Sequence, residues 1–396
     1  MALTTVAGKR NMRTGRNKRD AVVAPLITLF LPSLEGGGAE RAFVELANRF
    51  VDLGVEVHLV LVQSKGRYLA EVAPGVRIVD LRGRRTLCAT LKLCRYIRRW
   101  RPDAVVSGLD TANAANWIAC WLAGLPQAAV LTQRSVLTVS WKLEHPLFAR
   151  IWTRLLGVIY RRSRLVISNS ASAASDLHVQ VGVRHERSAV IYNSVDASAI
   201  NKLAAEPVDH EWASSKIAPL LLVVASLTTN KDLPTTLRAF ARLRALRDCR
   251  LVILGEGPER PRLERLICEL GLHESVQLIG FDRNPFRWMA RARVLVSSSP
   301  SEGCPNVILQ ALACGLQVVA TKGVGGTSEI LGDGRWGRLV PVGDDRALAH
   351  AIAETLDNPL PVDVSARTAM YDPDRTAIAY LQLLLPSWRA KKGERS

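Results

Sequence analysis

The sequence predicts an α/β protein with two facing doubly wound, Rossmann-like domains and a cleft between them. Two observations predict this fold class. Short apolar runs alternate with amphipathic stretches along most of the chain, as expected for parallel strands that are buried on both faces and joined by helices. The alternation stops near residues 196–216 and then restarts, which indicates two domains. A length of 396 residues with 48% hydrophobic content suits two ordinary globular cores.

The first domain, residues 21–200, is predicted from apolar runs of four to seven residues and from helical stretches with an apolar face. In chain order we expect strand 27–31, helix 40–51, strands 56–62 and 76–80, helix 87–100, strand 104–107, helix 112–125, strand 128–131, helix 147–163, strand 165–168, helix 173–181 and strand 189–192. A basic, disordered tail is expected over residues 1–20.

The second domain, residues 201–385, repeats the pattern after a segment that mixes Pro207, acids, Trp212 and serines without a clean period. We expect a hinge in that segment. The elements that follow are strand 220–225, helix 233–244, strand 250–254, helix 260–270, strand 276–279, helix 285–290, strand 294–297, helix 306–314, strand 317–320 and helix 346–357. A second basic tail is expected over residues 386–396.

The positive charge is concentrated in the first half of the chain. The net charge is +17, and residues 1–195 contain 28 basic and 13 acidic residues, against 25 and 23 in the remainder. Eight basic residues lie within 82–101 with no acid, and residues 140–164 mix further Arg and Lys with Trp141, Phe148, Trp152 and Tyr160. This pattern suits helices on anionic lipid; the alternative is a solvated face whose aromatics belong to the core. Nucleic acid is the rival partner, but no nucleic-acid motif is present.

The apolar run 21–31 follows six basic residues and could be a secretory signal or a buried first strand. Pro25 interrupts the run, no small-residue cleavage site follows, and the run leads into Gly36, which favours the strand. No stretch reaches the ~20 apolar residues of a membrane-spanning helix. We therefore expect a cytoplasmic protein, peripherally associated with the inner face of the plasma membrane through its first domain. Seven cysteines without C-x-x-C or zinc spacing predict buried, reduced thiols and no metal site.

Two glycine-rich loops follow predicted strands. The first, Gly36-Gly37-Gly38, opens a helix, where free N–H groups favour an anion. The second is Gly255-Glu256-Gly257-Pro258. Neither matches G-x-G-x-x-G, because the sixth positions are Arg41 and Arg260, so a dinucleotide site is poorly supported. A simple tight turn between strand and helix remains the alternative for each.

The segment 298–306 carries the strongest signal. Pro305 suits the first turn of a helix, so the N–H groups of Gly303, Cys304 and Asn306 would face the cleft and favour a phosphate or a sugar hydroxyl. Glu302 either points into the cleft or is an ordinary first-turn acid, and Gln310 lies two turns further on.

Lys231 lies at the start of a predicted helix, where its charge opposes the helix dipole. A dianionic ligand between the ammonium group and the helix would offset that repulsion. The alternative is a solvated surface lysine.

In their order and spacing, these motifs make the chain resemble glycosyltransferase family 4, which comprises retaining, nucleotide-sugar-dependent enzymes of the GT-B fold, here of the bacterial polysaccharide and lipid-linked oligosaccharide type. The resemblance rests on the segments 36–41, 168–170, 191–196, 231–232, 238–240, 255–258, 278–281, 302–306 and 321–329. It implies a nucleotide-sugar donor held by the second domain, with no metal and no other cofactor.

The resemblance also implies roles for particular residues. Lys231 and Glu302 would be catalytic, and the two family positions that differ here are Ser226, an arginine in the family, and Gln310, a glutamate that binds ribose. The implied donor-binding set is Gly37, Gly38, Ser226, Lys231, Gly257, Phe281, Glu302, Gly303, Cys304, Pro305, Asn306 and Gln310. Asn113 and Arg134 are the acceptor-side candidates, because the family's usual first-domain histidine is absent.

The function implied is that of a hexosyltransferase in cell-surface glycan biosynthesis, making exopolysaccharide or lipopolysaccharide. It would move a sugar from a nucleotide-diphosphate donor, a UDP-sugar, to a lipid-linked or polysaccharide acceptor with retention of configuration. A sugar-nucleotide epimerase of the same fold is an alternative. A non-catalytic module is another, made conceivable by Ser226 and Gln310.

Overall fold

The computed structural model describes residues 24–35, 37–137, 149–214, 218–361 and 363–388. The predicted tail 1–20, Gly36 and the aromatic residues Trp141 and Phe148 lie outside these ranges, as does most of the tail 386–396.

The first sheet has seven parallel strands in the order β3-β2-β1-β4-β5-β6-β7. The strands are β1 (Leu26–Leu31), β2 (Glu56–Leu61), β3 (Arg77–Asp80), β4 (Ala104–Gly108), β5 (Ala129–Gln133), β6 (Leu165–Ser168) and β7 (Ser188–Val190). The strand order reverses between β1 and β4, where Ile27 pairs with Val57 on one side and Ala104 on the other. Loops at such a reversal form a crevice for ligands.

Helices cover both faces of this sheet. They are α1 (Gly38–Asp52), α2 (Thr90–Trp100), α3 (Asp110–Leu122), α4 (Ala149–Arg162) and α5 (Ala171–Asp176), the last continuing as a π-helical turn (Leu177–Val181). Alternate residues of β1 enter opposite cores, because side chains alternate along a strand. Leu29 packs in the core that contains Phe43 and Phe50 of α1, whereas Phe30 packs in the core that contains Leu93 of α2.

The second sheet has six parallel strands in the order β10-β9-β8-β11-β13-β15, and β12 pairs with β14 beside it. The strands are β8 (Leu220–Val224), β9 (Arg250–Leu254), β10 (Val276–Gly280), β11 (Val294–Ser297), β12 (Ser301–Glu302), β13 (Gln317–Thr321), β14 (Val324–Gly325) and β15 (Arg338–Val340). The two doubly wound sheets confirm the predicted fold class. The sequence analysis missed β12, β14 and β15, because strands of two or three residues leave no apolar run.

The remaining helices are α6 (Ala197–Ala204), α7 (Glu211–Ser214), α8 (Leu233–Arg244), α9 (Arg260–Glu269), α10 (Phe286–Met289), α11 (Asn306–Ala313), α12 (Gly326–Ile330), α13 (Asp345–Asp357), α14 (Val364–Thr368) and α15 (Pro373–Leu384). Two of them, α6 and α7, occupy the segment expected to be a hinge. The last helix, α15, belongs by sequence to the range 201–385 but packs on the first domain, where Tyr380 contacts Phe50 edge-on at 6.5 Å between ring centroids.

The chain thus crosses between the domains twice, before α6 and before α15. Arg49 of α1 lies at both crossings, since its guanidinium is 2.8 Å from Asp196 and 3.5 Å from Asp374. Within the described ranges, none of the helices combines the length and the apolar character needed to cross a bilayer.

The cysteines differ in their access to solvent, so the expectation that they are buried is wrong for two of them. All seven are free; Cys88 and Cys268 are exposed, whereas Cys304 is buried, and burial raises the pKa of its thiol to about 12. Because the thiolate is the reactive form, we expect iodoacetamide to modify Cys88 and Cys268 in the native protein and Cys304 only after denaturation, as measured by peptide mass spectrometry. Native labelling of Cys304 at the rate of Cys88 would contradict the packing of its loop.

Candidate active site

Because all strands within each sheet are parallel, the loops that follow their carboxyl ends lie at one edge of each sheet. Hydrogen bonds from Asn306 to Gly38 and from Asn193 to Asn306 join these two edges across the cleft. On the second-domain side, residues 298–306 form a loop that we call the Glu302 loop. Its β12 segment pairs with β14 so that Glu302 lies opposite Gly325. A Cβ atom on Gly325 would lie 1.7 Å from the carbonyl oxygen of Glu302, so only glycine allows this pairing. The Thr321 hydroxyl also donates to the Ser299 carbonyl at 2.7 Å.

The end of the Glu302 loop differs slightly from the prediction. Pro305 is the residue that caps α11, with φ −72° and ψ 95°, and the helix itself begins at Asn306. As at the start of any helix, the first N–H groups of α11 have no carbonyl partner within the helix. The Cys304 side chain is buried in the second-domain core. Asn193 of the first domain contacts Cys304 twice: the side-chain amide donates to the Cys304 carbonyl at 3.4 Å, and the backbone N–H donates to the thiol.

Lys231 and Glu302 form an ion pair in which both side chains are less than one-fifth exposed. Glu302 is therefore not an ordinary first-turn acid. Lys231 ends a 3-10 turn after β8, and the Ser298 hydroxyl donates to its carbonyl at 2.8 Å, which ties its backbone to the Glu302 loop. The arrangement places a cation and an anion side by side in a partly desolvated position, where each has more effect than on the surface.

The other second-domain candidates also lie near the carboxyl ends of the second sheet's strands, and they differ in how far their side chains are exposed to solvent. Ser226 is exposed just after β8, and its hydroxyl lies 3.3 Å from that of Thr228. Gly257 packs on the Leu227 backbone, whose carbonyl oxygen would be 2.3 Å from a Cβ atom. Phe281 is half exposed, with the Arg67 guanidinium of the first domain 4.0 Å from its ring centroid. Gln310 lies one helical turn after Asn306 and shares its face of α11.

A chain of hydrogen bonds crosses the cleft near its centre. The Asn306 amide donates to the Gly38 carbonyl at 3.3 Å and accepts from the Asn193 amide at 2.6 Å. Asn193 in turn accepts from the Arg134 guanidinium at 2.8 Å. Gly37 caps α1 and Gly38 is its first residue. The structure therefore brings the start of α1 next to the start of α11, as a shared anion site requires.

Arg134 contributes through both its backbone and its side chain. A Cβ atom on Gly303 would lie 2.0 Å from the Arg134 carbonyl oxygen and 2.9 Å from Asn169 Oδ1, so the Glu302 loop touches the first domain here. The Arg134 guanidinium lies over the Phe43 ring at 4.8 Å. Its Nε is buried without a hydrogen-bond partner among the described residues.

Asn113, expected on the acceptor side of the cleft, is instead completely buried. Its amide donates to the Thr132 carbonyl and to the Tyr160 hydroxyl, both at 2.9 Å, and accepts from the Ser107 hydroxyl at 2.8 Å. These bonds join α3 to α4 and to the strands beneath. The sequence could not show whether Asn113 lies in the core or on the cleft wall, because a residue shortly after β4 can occupy either position.

Comparison with known proteins decides the family. The family model described as "Glycosyltransferase Family 4" matches residues 36–199, and the one described as "Glycosyl transferases group 1" matches residues 218–358. The chain is a glycosyltransferase of family 4. Its two matched segments correspond to the two sheets, and the motifs quoted from the sequence lie within them.

Curated relatives span nearly the whole glycosyltransferase. The N-acetylgalactosamine-N,N'-diacetylbacillosaminyl-diphospho-undecaprenol 4-alpha-N-acetylgalactosaminyltransferase of Campylobacter jejuni is 29% identical over 83% of this chain and 90% of its own length. The lipopolysaccharide core biosynthesis glycosyltransferase LpsE of Rhizobium meliloti is 28% identical over 88% and 96%.

Solved structures give the fold of the enzyme. HepE of Anabaena, crystallised with UDP-glucose, superposes with a TM-score of 0.76 at 22% identity, covering 91% of this chain and 99% of HepE. WaaG, a glycosyltransferase involved in lipopolysaccharide biosynthesis, superposes with a TM-score of 0.70 at 16% identity, with 91% and 99% covered. The glycosyltransferase therefore has the GT-B fold.

Sequence reasoning did not single out Asn193, Tyr192 or Glu329 as site residues. All three lie in segments that carried the resemblance, 191–196 and 321–329. The signal was thus present, but a motif does not show that its side chains cross to the other domain. Only the packed structure places Asn193 against Asn306 of the enzyme and Tyr192 against Glu329.

The contact of Gly303 with Arg134 predicts the effect of adding one methyl group. We expect Gly303→Ala to reduce the turnover of the glycosyltransferase by at least ~10-fold, because its Cβ clashes with backbone across the cleft and a small misplacement near the chemistry is costly. Gly157→Ala is the matched control, since the new Cβ meets only side-chain atoms, at 3.2 Å and beyond, in the middle of α4. Steady-state kinetics of both variants measure the difference; equal turnover would contradict the close approach.

Proposed function

We propose that this glycosyltransferase moves a sugar from a nucleotide-diphosphate donor, a UDP-sugar, to a lipid-linked or glycan acceptor with retention of configuration. The observation that carries the proposal is the ion pair between Lys231 and Glu302 of the Glu302 loop. The starts of α1 and α11 also meet across the cleft. One ammonium group and several free N–H groups suit a diphosphate, and a neighbouring carboxylate suits sugar hydroxyls.

The chemical step follows from these charges. The bond between the anomeric carbon and the diphosphate oxygen breaks, and the acceptor oxygen forms the new bond on the same face while its proton passes to the departing diphosphate. Negative charge then builds on the leaving group, where Lys231 and the N–H groups at Gly303 and Asn306 stabilise it. Glu302, released from Lys231 by the incoming diphosphate, accepts hydrogen bonds from the sugar. No metal enters this scheme.

Two departures from the family pattern alter the strength of binding. With Ser226 in place of the family's arginine, one positive charge is missing from the diphosphate side of the site. Lys231 therefore contributes a larger share of the electrostatic attraction for the diphosphate. Gln310 replaces a carboxylate with an amide that can both donate to and accept from ribose hydroxyls. We propose that the donor still binds, with a larger share of the binding coming from backbone N–H groups.

Named relatives support the donor and acceptor classes. HepE was crystallised with UDP and with UDP-glucose. The Campylobacter relative is named for a diphospho-undecaprenol acceptor and the Rhizobium relative for lipopolysaccharide core biosynthesis. We propose that this chain likewise acts in cell-surface glycan biosynthesis, on the inner face of the plasma membrane.

The first domain has a surface suited to that location. On the face formed by α2, α3 and α4, the exposed large apolar residues are Leu87, Leu91, Trp121, Leu122, Ile151 and Leu155. Exposed basic residues lie among them on α2 and α4, including Lys92, Arg95 and Arg154. Tyr160, one of the aromatics expected on this surface, is in the core instead. Apolar side chains surrounded by basic ones favour contact with anionic lipid.

The donor proposal predicts which nucleotides stabilise the enzyme. We expect UDP, but not GDP or ADP, to raise the melting temperature in a thermal-shift screen, because a ligand that binds only the native state stabilises it. Lys231→Ala should abolish that shift and lower turnover by about 10²-fold, as the loss of a charge-stabilising donor does.

Lys202→Ala is the matched control, because Lys202 is exposed on α6, away from the cleft loops. A wild-type thermal shift and wild-type kinetics in Lys231→Ala would remove Lys231 from the site. If no nucleoside diphosphate stabilises the protein, the donor proposal fails as a whole.

The membrane proposal is tested with vesicles. We expect the enzyme to bind vesicles containing phosphatidylglycerol at low salt and to ignore phosphatidylcholine vesicles. The double variant Lys92→Glu/Arg95→Glu on α2 should bind at least ~10-fold more weakly, since each basic residue near an anionic surface contributes about 1 kcal/mol. Arg262→Glu/Arg265→Glu on α9 has the same spacing and charge change on the second domain. Sedimentation that shows equal losses in both variants would contradict the assignment of the surface.

A further inference from the structure

A second group of contacts joins the two domains away from the Lys231–Glu302 pair, and its centre is Glu329 of α12. The Glu329 carboxylate accepts hydrogen bonds from the backbone N–H groups of Ala171 at 2.8 Å and Ser172 at 2.7 Å, both in α5 of the first domain. The Tyr192 hydroxyl, also from the first domain, donates to the same carboxylate at 2.8 Å. All three donors therefore lie in the domain opposite to the acid.

These bonds complete the start of α5. The Ser170 hydroxyl accepts from the N–H group of Ala173, which leaves the N–H groups of Ala171 and Ser172 without a partner inside the first domain. Glu329 supplies the acceptor for both. A carboxylate that accepts from backbone N–H groups makes charge-assisted bonds, which are stronger than neutral ones. The first domain thus depends on the second for two of its hydrogen bonds.

Glu329 is held firmly within its own domain. Arg367 donates to the carbonyl groups of Glu329 and Ile330, the latter at 2.9 Å. The Arg367 side chain is buried between the rings of Trp336 and Tyr371, 4.4 and 5.1 Å from their centroids. Contacts within the second domain therefore fix the backbone at Glu329 independently of the bonds that its side chain makes with the first domain.

Glu329 is also connected rigidly to the Glu302 loop. Gly325 and Gly326 precede it, and the N–H group of Gly326 donates to the Gly303 carbonyl at 3.0 Å. A Cβ atom on Gly326 would lie 2.4 Å from that carbonyl oxygen and 3.3 Å from the Ser170 side chain. The Ser172 hydroxyl adds a bond to the Gly325 carbonyl at 3.2 Å. Any shift of Glu329 relative to α5 therefore moves the Glu302 loop relative to the first domain.

We propose that Glu329 is a positioning residue that fixes the Glu302 loop against the first domain through its bonds to Ala171 and Ser172. It acts through the loop, because its carboxylate accepts from Ala171, Ser172 and Tyr192, none of which is a proposed donor-binding residue. The structural part of this inference, the distance between the domains, is independent of the proposed function. Its kinetic part rests on the proposed transfer reaction.

The structural part is tested on the protein without nucleotide. We expect small-angle X-ray scattering to give a larger radius of gyration for Glu329→Ala than for the wild type, and an intermediate value for Glu329→Gln, whose amide oxygen can accept but carries no charge. Glu354→Gln is the matched control, because Glu354 pairs with Arg338 at 2.8 Å entirely within the second domain. A wild-type radius in both Glu329 variants, or the same increase in Glu354→Gln, overturns the proposal.

The kinetic part compares turnover with nucleotide affinity. We expect Glu329→Ala to lower kcat by ~10-fold or more while the Kd for UDP, measured by calorimetry, stays within about twofold of the wild type, since closure of a cleft often limits turnover. Tyr192→Phe, which removes one of the three bonds, should lower kcat less than Glu329→Ala.

Parallel loss of kcat and UDP affinity would mean that Glu329 acts inside the donor site, and the proposal would be wrong. If the wild type itself shows no affinity for UDP, the donor proposal fails while the scattering result still decides the role of Glu329. Should Glu329→Ala not fold, Glu329→Gln carries both measurements with the same expected directions.

Discussion

The contact of the Glu302 loop with the first domain is the constraint on which the rest of the site depends. Gly303 lies so close to the Arg134 carbonyl that a single carbon atom would fill the gap. This approach lets Asn306 reach both Gly38 and Asn193, and so brings the first turns of α1 and α11 to the same place. A cleft that was wider by the length of one side chain would separate these two groups of free N–H donors, and neither alone would surround a diphosphate.

The electrostatics of the site follow from how few charges it has. Lys231 is paired with Glu302, so the site is close to neutral before an anion arrives. Backbone N–H groups carry partial charges that cost little to organise, because the helices already fix their positions. Ser226 in place of a second cation therefore leaves a site in which fixed dipoles matter more than in a lysine–arginine pair.

Much of the fold could be predicted from sequence because buried parallel strands produce unbroken apolar runs such as Leu220–Val224. Arg338–Val340 was missed because a three-residue edge strand with a charged end has no such run. The helix α15 was not predicted, and its residues were placed with the second domain, because sequence order does not reveal which core a terminal helix will join. In the site, the motifs singled out Lys231 and Glu302 separately, but their ion pair appears only in the structure, because the two residues are 71 positions apart. Asn113 was misplaced, because its position after β4 fits a buried network with Tyr160 as well as it fits a cleft wall.

The two domains touch along several lines that differ in chemistry. At one edge, the Arg67 guanidinium lies over the Phe281 ring. This cation–π contact depends less on direction than a hydrogen bond does, so it persists when the two side chains shift slightly relative to each other. At another, Glu329 accepts from two consecutive N–H groups, which fixes both distance and direction. The bonds from Asn306 to Gly38 and from Asn193 to Asn306 are directional as well. The relative position of the domains is therefore set by hydrogen bonds at two places, and the Arg67–Phe281 contact adds attraction without fixing direction.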